Sequence, residues 1–498
     1  MKRTITSLIL FLHAVFADAQ APSDRQQIET VIQLYFDGWA TGDTTKLSRA
    51  MHFSCNLKNY RDGNFVQFSK ADYVSRFRLR ERPAGLETQI VYIDITNDLI
   101  AGAKVEISTS TDKFTDYFNL MKTTEGWFIV DKISTRKSHR TRIANPYKDT
   151  VISGLNRPWS MAFISEEEVL ISEKEGDLTL VNLSKKTKTK IKGYPTDIVD
   201  SIFGFGDNTG RFEVLVDPAF QVNKFVYLSY AAKGEGGKTT KVVRAKLENG
   251  ALTDIKTLLI ASPYTDNRHH YGGGMVFGSD GKLYITIGER LFTEQDEPAI
   301  PIAQDLKDKR GKIYRINSDG TIPTDNPDFG KSAEKGLYAM GIRAAQGLTL
   351  NPMTHKIWFT EHGTHQGDEV NVLQPGANYG WPIKTTGKYR YDGYSPPKLK
   401  DSNYTKPVWY WDQTVAPTGL TFYTGEEFPS WRGNLLIAGL SKGSLWRLTI
   451  ENETVKGIEE LFVESRVRAR KIVQSPMGKL YLLTDEKDGK VIRILNRG

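Results

Sequence analysis

Six times between about residue 150 and the C-terminus, an apolar run of strand length enters a polar loop and is followed by a second strand-like run. The copies are VLISEKEGDLTLV from Val169, FVYLSY from Phe225 with VVRAKL after it, and LYITIGE from Leu283 with GKIYRI after it. Then come IWFTEHGTHQGDEVNVL from Ile357, LLIAGLSKGSLWRL from Leu435 and LYLLTDEKDGKVIRIL from Leu480. The spacing is roughly 45 to 80 residues, and four strands of about six residues with their connections fill that length. One such unit cannot bury both of its faces, so its neighbours must cover it. Radially arranged four-stranded units form a β-propeller, and six repeats predict six blades over residues 150–498.

The first part of the chain has a different period. Asp24 to Trp39 carries apolar residues at helical spacing, with Ser23 or Asp24 as cap. A second helix is expected over Lys70 to Arg80. Gln89 to Asp94, Ile100 to Ser108, Asp112 to Met121 and Trp127 to Ser134 read as strands joined by Asn-Asp, Thr-Asp and Glu-Gly turns. Helices followed by an antiparallel sheet predict an α+β domain over 22–140, with Ser138 to Lys148 as a linker. The fold class expected for the whole chain is therefore multidomain: an N-terminal α+β unit, then an all-β propeller.

Before it, Lys2 and Arg3 precede a mostly apolar Ile5 to Phe16 and a small-residue Ala17-Asp18-Ala19 site, the pattern of a signal peptide over 1–19. No later segment is apolar enough to span a membrane, so a periplasmic or secreted protein is expected. With Cys55 the single cysteine, no intrachain disulfide can form. The net charge of +8 is scattered, with no basic stripe or nucleic-acid motif beside it.

Neighbouring strands in a blade are antiparallel, so the start of one and the end of the next share a rim. In RHHYGGGMVFGSDGKLYITIGER, His269 and His270 open one strand and Glu289 ends its neighbour. By the same logic Arg157, Trp159, Glu173, Arg343, Glu361, His362, Gly363, Thr414, Ser441, Lys442, Arg468, Arg470 and Asp485 fall on that rim. A histidine oriented by a carboxylate can act as a general base. Clustered arginines suit a ligand with several carboxylates. Asp368 and Glu369 beside a glycine-rich loop supply hard oxygen ligands suited to Ca²⁺. Histidines at zinc spacing are absent, although His355, His362 and His365 are near one another in sequence.

Two resemblances follow. FDGWATGDTTKLSRAMH, IVYIDITNDLIAGAKVEI and DYFNLMKTTEGWFIVDKIS resemble the "Putative lumazine-binding" family, among the ketosteroid-isomerase-like cone folds. Such cones enclose a pocket that His52, Asp116 and Trp127 could line; the plainer reading puts Trp127 in the core and Asp116 in a sheet or loop. Cones of this type often pair through their sheets, so a homodimer is an expectation. GLNRPWSMAF, the His-His stretch, GKIYRINSDGTIPTDNP, GIRAAQGLTLNP, EHGTHQGDEVNVLQPGANYGWP and RVRARKIVQSPMGKLYLLTD resemble, in order, the glucose/sorbosone dehydrogenases. That resemblance implies a six-bladed propeller that binds pyrroloquinoline quinone (PQQ) through calcium and oxidises the C1 hydroxyl of an aldose sugar to a lactone. It places the base on His270, its orienting carboxylate on Glu289 and a cofactor-side arginine on Arg343. It places calcium at Gly363 and Thr364 with Asp368 and Glu369 close behind, and cofactor contacts at Asn208, Thr414, Lys442, Arg468 and Arg470. It implies an electron acceptor without naming one. The sequence departs from the pattern at Asn208, Ala344, Thr364, Ser441 and Lys471. A non-catalytic ligand-binding propeller and a calcium-dependent lactonase stay open beside the dehydrogenase.

Overall fold

The computed structural model describes residues 22–61, 64–83, 86–109, 112–138, 144–200, 202, 206–290, 299–399, 403–441 and 443–497. The segment read as a signal peptide lies outside them. The chain forms two compact units, dividing between residues 141 and 142. No described helix is long and apolar enough to cross a membrane.

The first unit opens on helix Asp24–Thr41, capped reciprocally: Ser23 Oγ accepts from the Gln26 amide, and the Gln26 side chain accepts from the Ser23 amide. Gly42 ends it in the left-handed conformation. Ile28, Ile32, Tyr35, Phe36 and Ala40 form its buried face. The helices pack on one six-stranded sheet whose order is 64–69, 51–61, 126–138, 112–123, 100–108, 87–96. Trp127 is buried and donates its indole N–H to Asp24 at 2.8 Å.

Four elements differ from the sequence reading. Helix Thr44–Ala50 and strands Met51–Arg61 and Asn64–Ser69 were not expected. The helix expected to reach Arg80 stops at Val74. Beyond it the backbone bonds tighten to i→i−3, from Arg76 to Tyr73 and from Phe77 to Val74. The chain then leaves to satisfy a carbonyl at the end of the first helix, Arg80 N donating to Thr41 O at 2.7 Å.

The second unit holds six four-stranded antiparallel sheets. Their first strands are Pro158–Phe163, Arg211–Val216, Gly272–Phe277, Ala345–Leu350, Pro417–Phe422 and Ala469–Gln474. Each first strand contacts the first strand of the next sheet, and the sixth contacts the first, so the cycle closes. The six repeated strand pairs supply the second and third strands. Leu283–Ile287, Leu435–Gly439 and Leu480–Thr484 are buried along their whole length, because neighbouring sheets cover both faces. The sixth sheet takes its outer strand from the start of the unit: Pro146–Leu155 pairs with Gly489–Asn496. Residues 146–148, expected as linker, are therefore strand.

The third positions of the six first strands are Ser160, Glu213, Gly274, Gly347, Gly419 and Lys471. The three glycines admit close approach: a Cβ on Gly274 or Gly347 would sit 2.4 or 2.0 Å from a carbonyl oxygen of the next strand, and one on Gly419 2.4 Å from the Lys471 side chain. Opposite them, Lys471 pairs with buried Glu213 and donates to Ser160, binding the sixth, second and first sheets together.

Candidate functional site

The loops leading into the six first strands are tied in a ring. Asn208 Oδ1, in the loop before the second sheet, accepts from the His270 amide at 3.4 Å. Glu289, at the end of the third sheet's second strand, donates its amide to Arg343 O at 2.9 Å. Arg343 donates to His362 O at 3.1 Å within the fourth sheet. Asp368 accepts from the Val415 and Ala416 amides of the fifth at 2.7 Å. Arg468 of the sixth reaches back to Leu440 O at 3.0 Å. The Arg157 amide donates to Glu486 O, and Lys174 donates to Asp207 O, closing the circuit through the first and second sheets.

His270 stands at φ 49°, a conformation a non-glycine residue adopts at a cost. Its Nδ1 meets Glu289 Oε1 at 2.5 Å, and its side chain is 12% exposed. Gly288 makes room for this turn, since a Cβ there would lie 2.0 Å from His270 O. Arg290, buried beneath, donates to the same carbonyl at 3.0 Å. Burial and the Arg343 charge push the imidazole down to about 3, against the opposing pull of Glu289. The ring is therefore neutral at physiological pH. With Glu289 accepting Nδ1–H, Nε2 is the basic atom.

Arg343 is buried against Trp381, 5.1 Å from the ring centroid, and its Nε has no hydrogen-bond partner. Burial lowers its pKa to about 10. Arg470 donates to Gln346 at 2.7 Å and to Asp485 at 2.9 Å, lies 5.7 Å from the Trp159 ring centroid, and also keeps an unpartnered Nε. Arg468 donates to Asp485 at 3.0 Å. Although burial opposes it, the charges of Arg470, Arg468 and Lys174 hold the Asp485 carboxyl well below the usual range. Burial and Arg470 bring Lys174 down to about 8.

A search of protein-family models matches residues 155–493 to the family Glucose / Sorbosone dehydrogenase. The chain belongs to this family. Residues 23–134 match a second one, Putative lumazine-binding. The aldose sugar dehydrogenase YliI of Escherichia coli is 31% identical over 69% of this chain and 91% of its own length. Quinoprotein glucose dehydrogenase B of Acinetobacter calcoaceticus is 26% identical over 70% of this chain and 88% of its own. The crystal structure of the apo E. coli aldose sugar dehydrogenase superposes with a TM-score of 0.65 at 30% identity, covering 71% of this chain and all of that one.

Some of the residues expected on one rim do meet. His270, Glu289 and Arg343 come together, as do Arg468, Arg470 and Asp485. Asp368 and Glu369, expected close behind a calcium site, accept hydrogen bonds from the protein itself. Asp368 spends both oxygens on three backbone amides, Oδ1 on Gly363 and Oδ2 on Val415 and Ala416, all at 2.7 Å. Glu369 accepts from Thr386 at 2.7 Å and Asn371 at 3.2 Å. Among the described residues no three His, Cys, Asp or Glu side chains gather as a metal site. A cation here would depend on backbone carbonyls, with Asp368 holding the Gly363 loop from behind. Thr364 and Thr414 donate their hydroxyls to Lys388 O and His365 O, each in another loop, 24 and 49 positions away. Lys442 lies outside the described residues; Ser441 donates its amide to Val415 O at 3.0 Å. Lys471 points into the Glu213 cluster rather than toward the arginines of the rim.

Three groups escaped the sequence reading. Lys174 directly follows Glu173, Gln346 follows Arg343 by three, and Trp381 ends the motif GANYGW. For Lys174 and Gln346 the available signal was a polar residue within three positions of an expected rim residue; Trp381 lies beyond that reach.

The donor set fits a polyanionic, carbonyl-bearing cofactor. Arg343 and Arg470 each keep a buried N–H without a partner, a costly state that a bound oxygen acceptor relieves.

Proposed function

We propose that the six sheets form a six-bladed propeller. We further propose that the chain is an exported PQQ- and calcium-dependent dehydrogenase, oxidising the C1 hydroxyl of aldoses to lactones. The observation that carries the reading is the buried His270–Glu289 pair tied to the loop of Arg343, whose buried Nε lacks a partner. The names of the relatives, an aldose sugar dehydrogenase and a quinoprotein glucose dehydrogenase, support the same chemistry.

In this reading Arg343, Arg468 and Arg470 hold the cofactor oxygens, and Asn208, Thr414 and Lys442 are the further cofactor contacts. The carbonyls of Gly363 and Thr364 hold calcium. PQQ, when bound, supplies the two-electron acceptor for the hydride leaving sugar C1. His270 Nε2 takes the C1 hydroxyl proton. Glu289 fixes the tautomer and stabilises the imidazolium as it forms. Burial, with Arg343, keeps the resting ring neutral and therefore ready to accept.

Dye reduction by the purified protein, with and without PQQ plus Ca²⁺, over a panel of aldoses, tests the reading. Turnover should require both additions. His270→Ala should lower kcat by about 10²-fold or more, the usual worth of a general base. Wild-type protein that neither turns over nor takes up PQQ would mark the second unit as a binding module.

A further inference from the structure

The first unit carries a cavity of about 640 Å³ remote in sequence from the rim residues. That volume is within the range of small-molecule sites. Its apolar wall is aromatic: Trp39, Phe68, Tyr73, Phe77 and Phe114 line it. Among the described residues five cations also line it, Lys58, Arg76, Arg78, Arg80 and Lys132, and no Asp or Glu does.

The cations differ in what already balances them. Lys132 sits on the floor, buried, 2.9 Å from buried Asp116 and 2.5 Å from the Tyr35 hydroxyl. Ser134 donates to the other Asp116 oxygen at 2.5 Å. Asp116, read from sequence as a plain sheet or loop residue, is thus half of a buried ion pair, and it neutralises Lys132. Lys58 is paired with Asp131 at 2.7 Å. Arg76, Arg78 and Arg80 are different. Among the described residues no carboxylate pairs with any of them; Arg76 lies 3.7 Å from the Phe68 ring centroid, and Arg78 and Arg80 bond only to backbone carbonyls. Asn59, also in the lining, keeps a buried side-chain oxygen without a partner.

We infer that this cavity binds a small aromatic carboxylate, its flat body against the aromatic wall and its anionic end on the Arg76–Arg80 segment. Guanidinium groups recognise a carboxylate through paired hydrogen bonds and stack on aromatic faces. The neutralised floor gives the anion no reason to go deeper. A hydroxyl or N–H on the ligand body would satisfy Asn59. The site is independent of the sugar reading, and its occupant need not be a substrate.

The test uses the full chain and two probes of equal size, 2-naphthoate and the neutral 2-naphthalenemethanol, titrated by calorimetry. Naphthoate should bind one per chain, at least about tenfold tighter than the alcohol. The double variant Arg76→Glu/Arg78→Glu changes exposed side chains and should abolish that preference with its thermal midpoint within a few degrees of wild type. Arg470→Ala, which strips an anion-binding group from the second unit, should leave naphthoate binding unchanged. Equal affinity for the two probes, no saturation at millimolar naphthoate, or binding lost in Arg470→Ala but kept in the double variant would each overturn the assignment. Absence of PQQ-dependent turnover in the wild-type protein, with naphthoate binding intact, would overturn only the dehydrogenase reading.

Discussion

A buried imidazole held neutral leaves a thermodynamic trace. The His270 pKa falls from 6.5 to about 3, chiefly through burial and Arg343. Between those values the unfolded chain binds a proton that the folded chain refuses, so stability falls as pH falls through this window. The apo protein should therefore lose thermal midpoint from pH 6.5 to 4.5, and His270→Gln should lose less. Parallel slopes would mean that the native ring is protonated. Lys471 makes a second prediction. Removing one partner of a buried ion pair costs about 3–5 kcal/mol, whereas replacing both with apolar residues is often neutral. Lys471→Ala should be destabilised on that scale in urea melts, and Lys471→Met with Glu213→Leu should recover most of the loss. The His270–Glu289 juxtaposition was legible in the sequence because antiparallel pairing alone returns the two positions to one rim. The use of Asp368 was not. A carboxylate in a glycine-rich loop can ligate a cation or collect amides, and the choice depends on Val415 and Ala416, 47 and 48 positions away.

Elements with one dominant period were read well. Ile100–Ser108 matches its expected bounds, and Asp24–Thr41 exceeds its own by two residues. Ser23→Ala should cost about 1 kcal/mol, the usual worth of a side-chain cap, measured as a shift in the urea midpoint of the first unit. The failures have physical causes. Lys70 to Arg80 is helix-compatible locally, but the open carbonyl of Thr41 captures Arg80. Strand Met51–Arg61 was missed because its charged and polar residues, His52, Lys58 and Arg61 among them, hide the alternation. The repeated strands succeeded for the opposite reason. Covered on both faces, they are apolar throughout, and a short uninterrupted apolar run between turns is what such a strand requires.

At the scale of the molecule, the repeat dictates six sheets but not how the ring is fastened. Gly154 donates to Asp488 at 2.8 Å, 334 positions along the chain, within the pairing of Pro146–Leu155 with Gly489–Asn496. A chain beginning at residue 144 should fold as a soluble monomeric second unit and keep whatever sugar oxidation the whole chain has. One beginning at residue 156 leaves Gly489–Asn496 as an unpaired edge and should aggregate, seen by size-exclusion chromatography. The same pairing sets a clock on biosynthesis. Arg468, Arg470 and Asp485 belong to the sheet whose outer strand is made before the other five sheets and whose remaining three strands are made after them. A growing chain therefore holds an early strand without its neighbour while five sheets are assembled around it. Arg468 and Arg470 take up their places only after Gly489–Asn496 has left the ribosome. Any ligand of that rim meets either a finished ring or none.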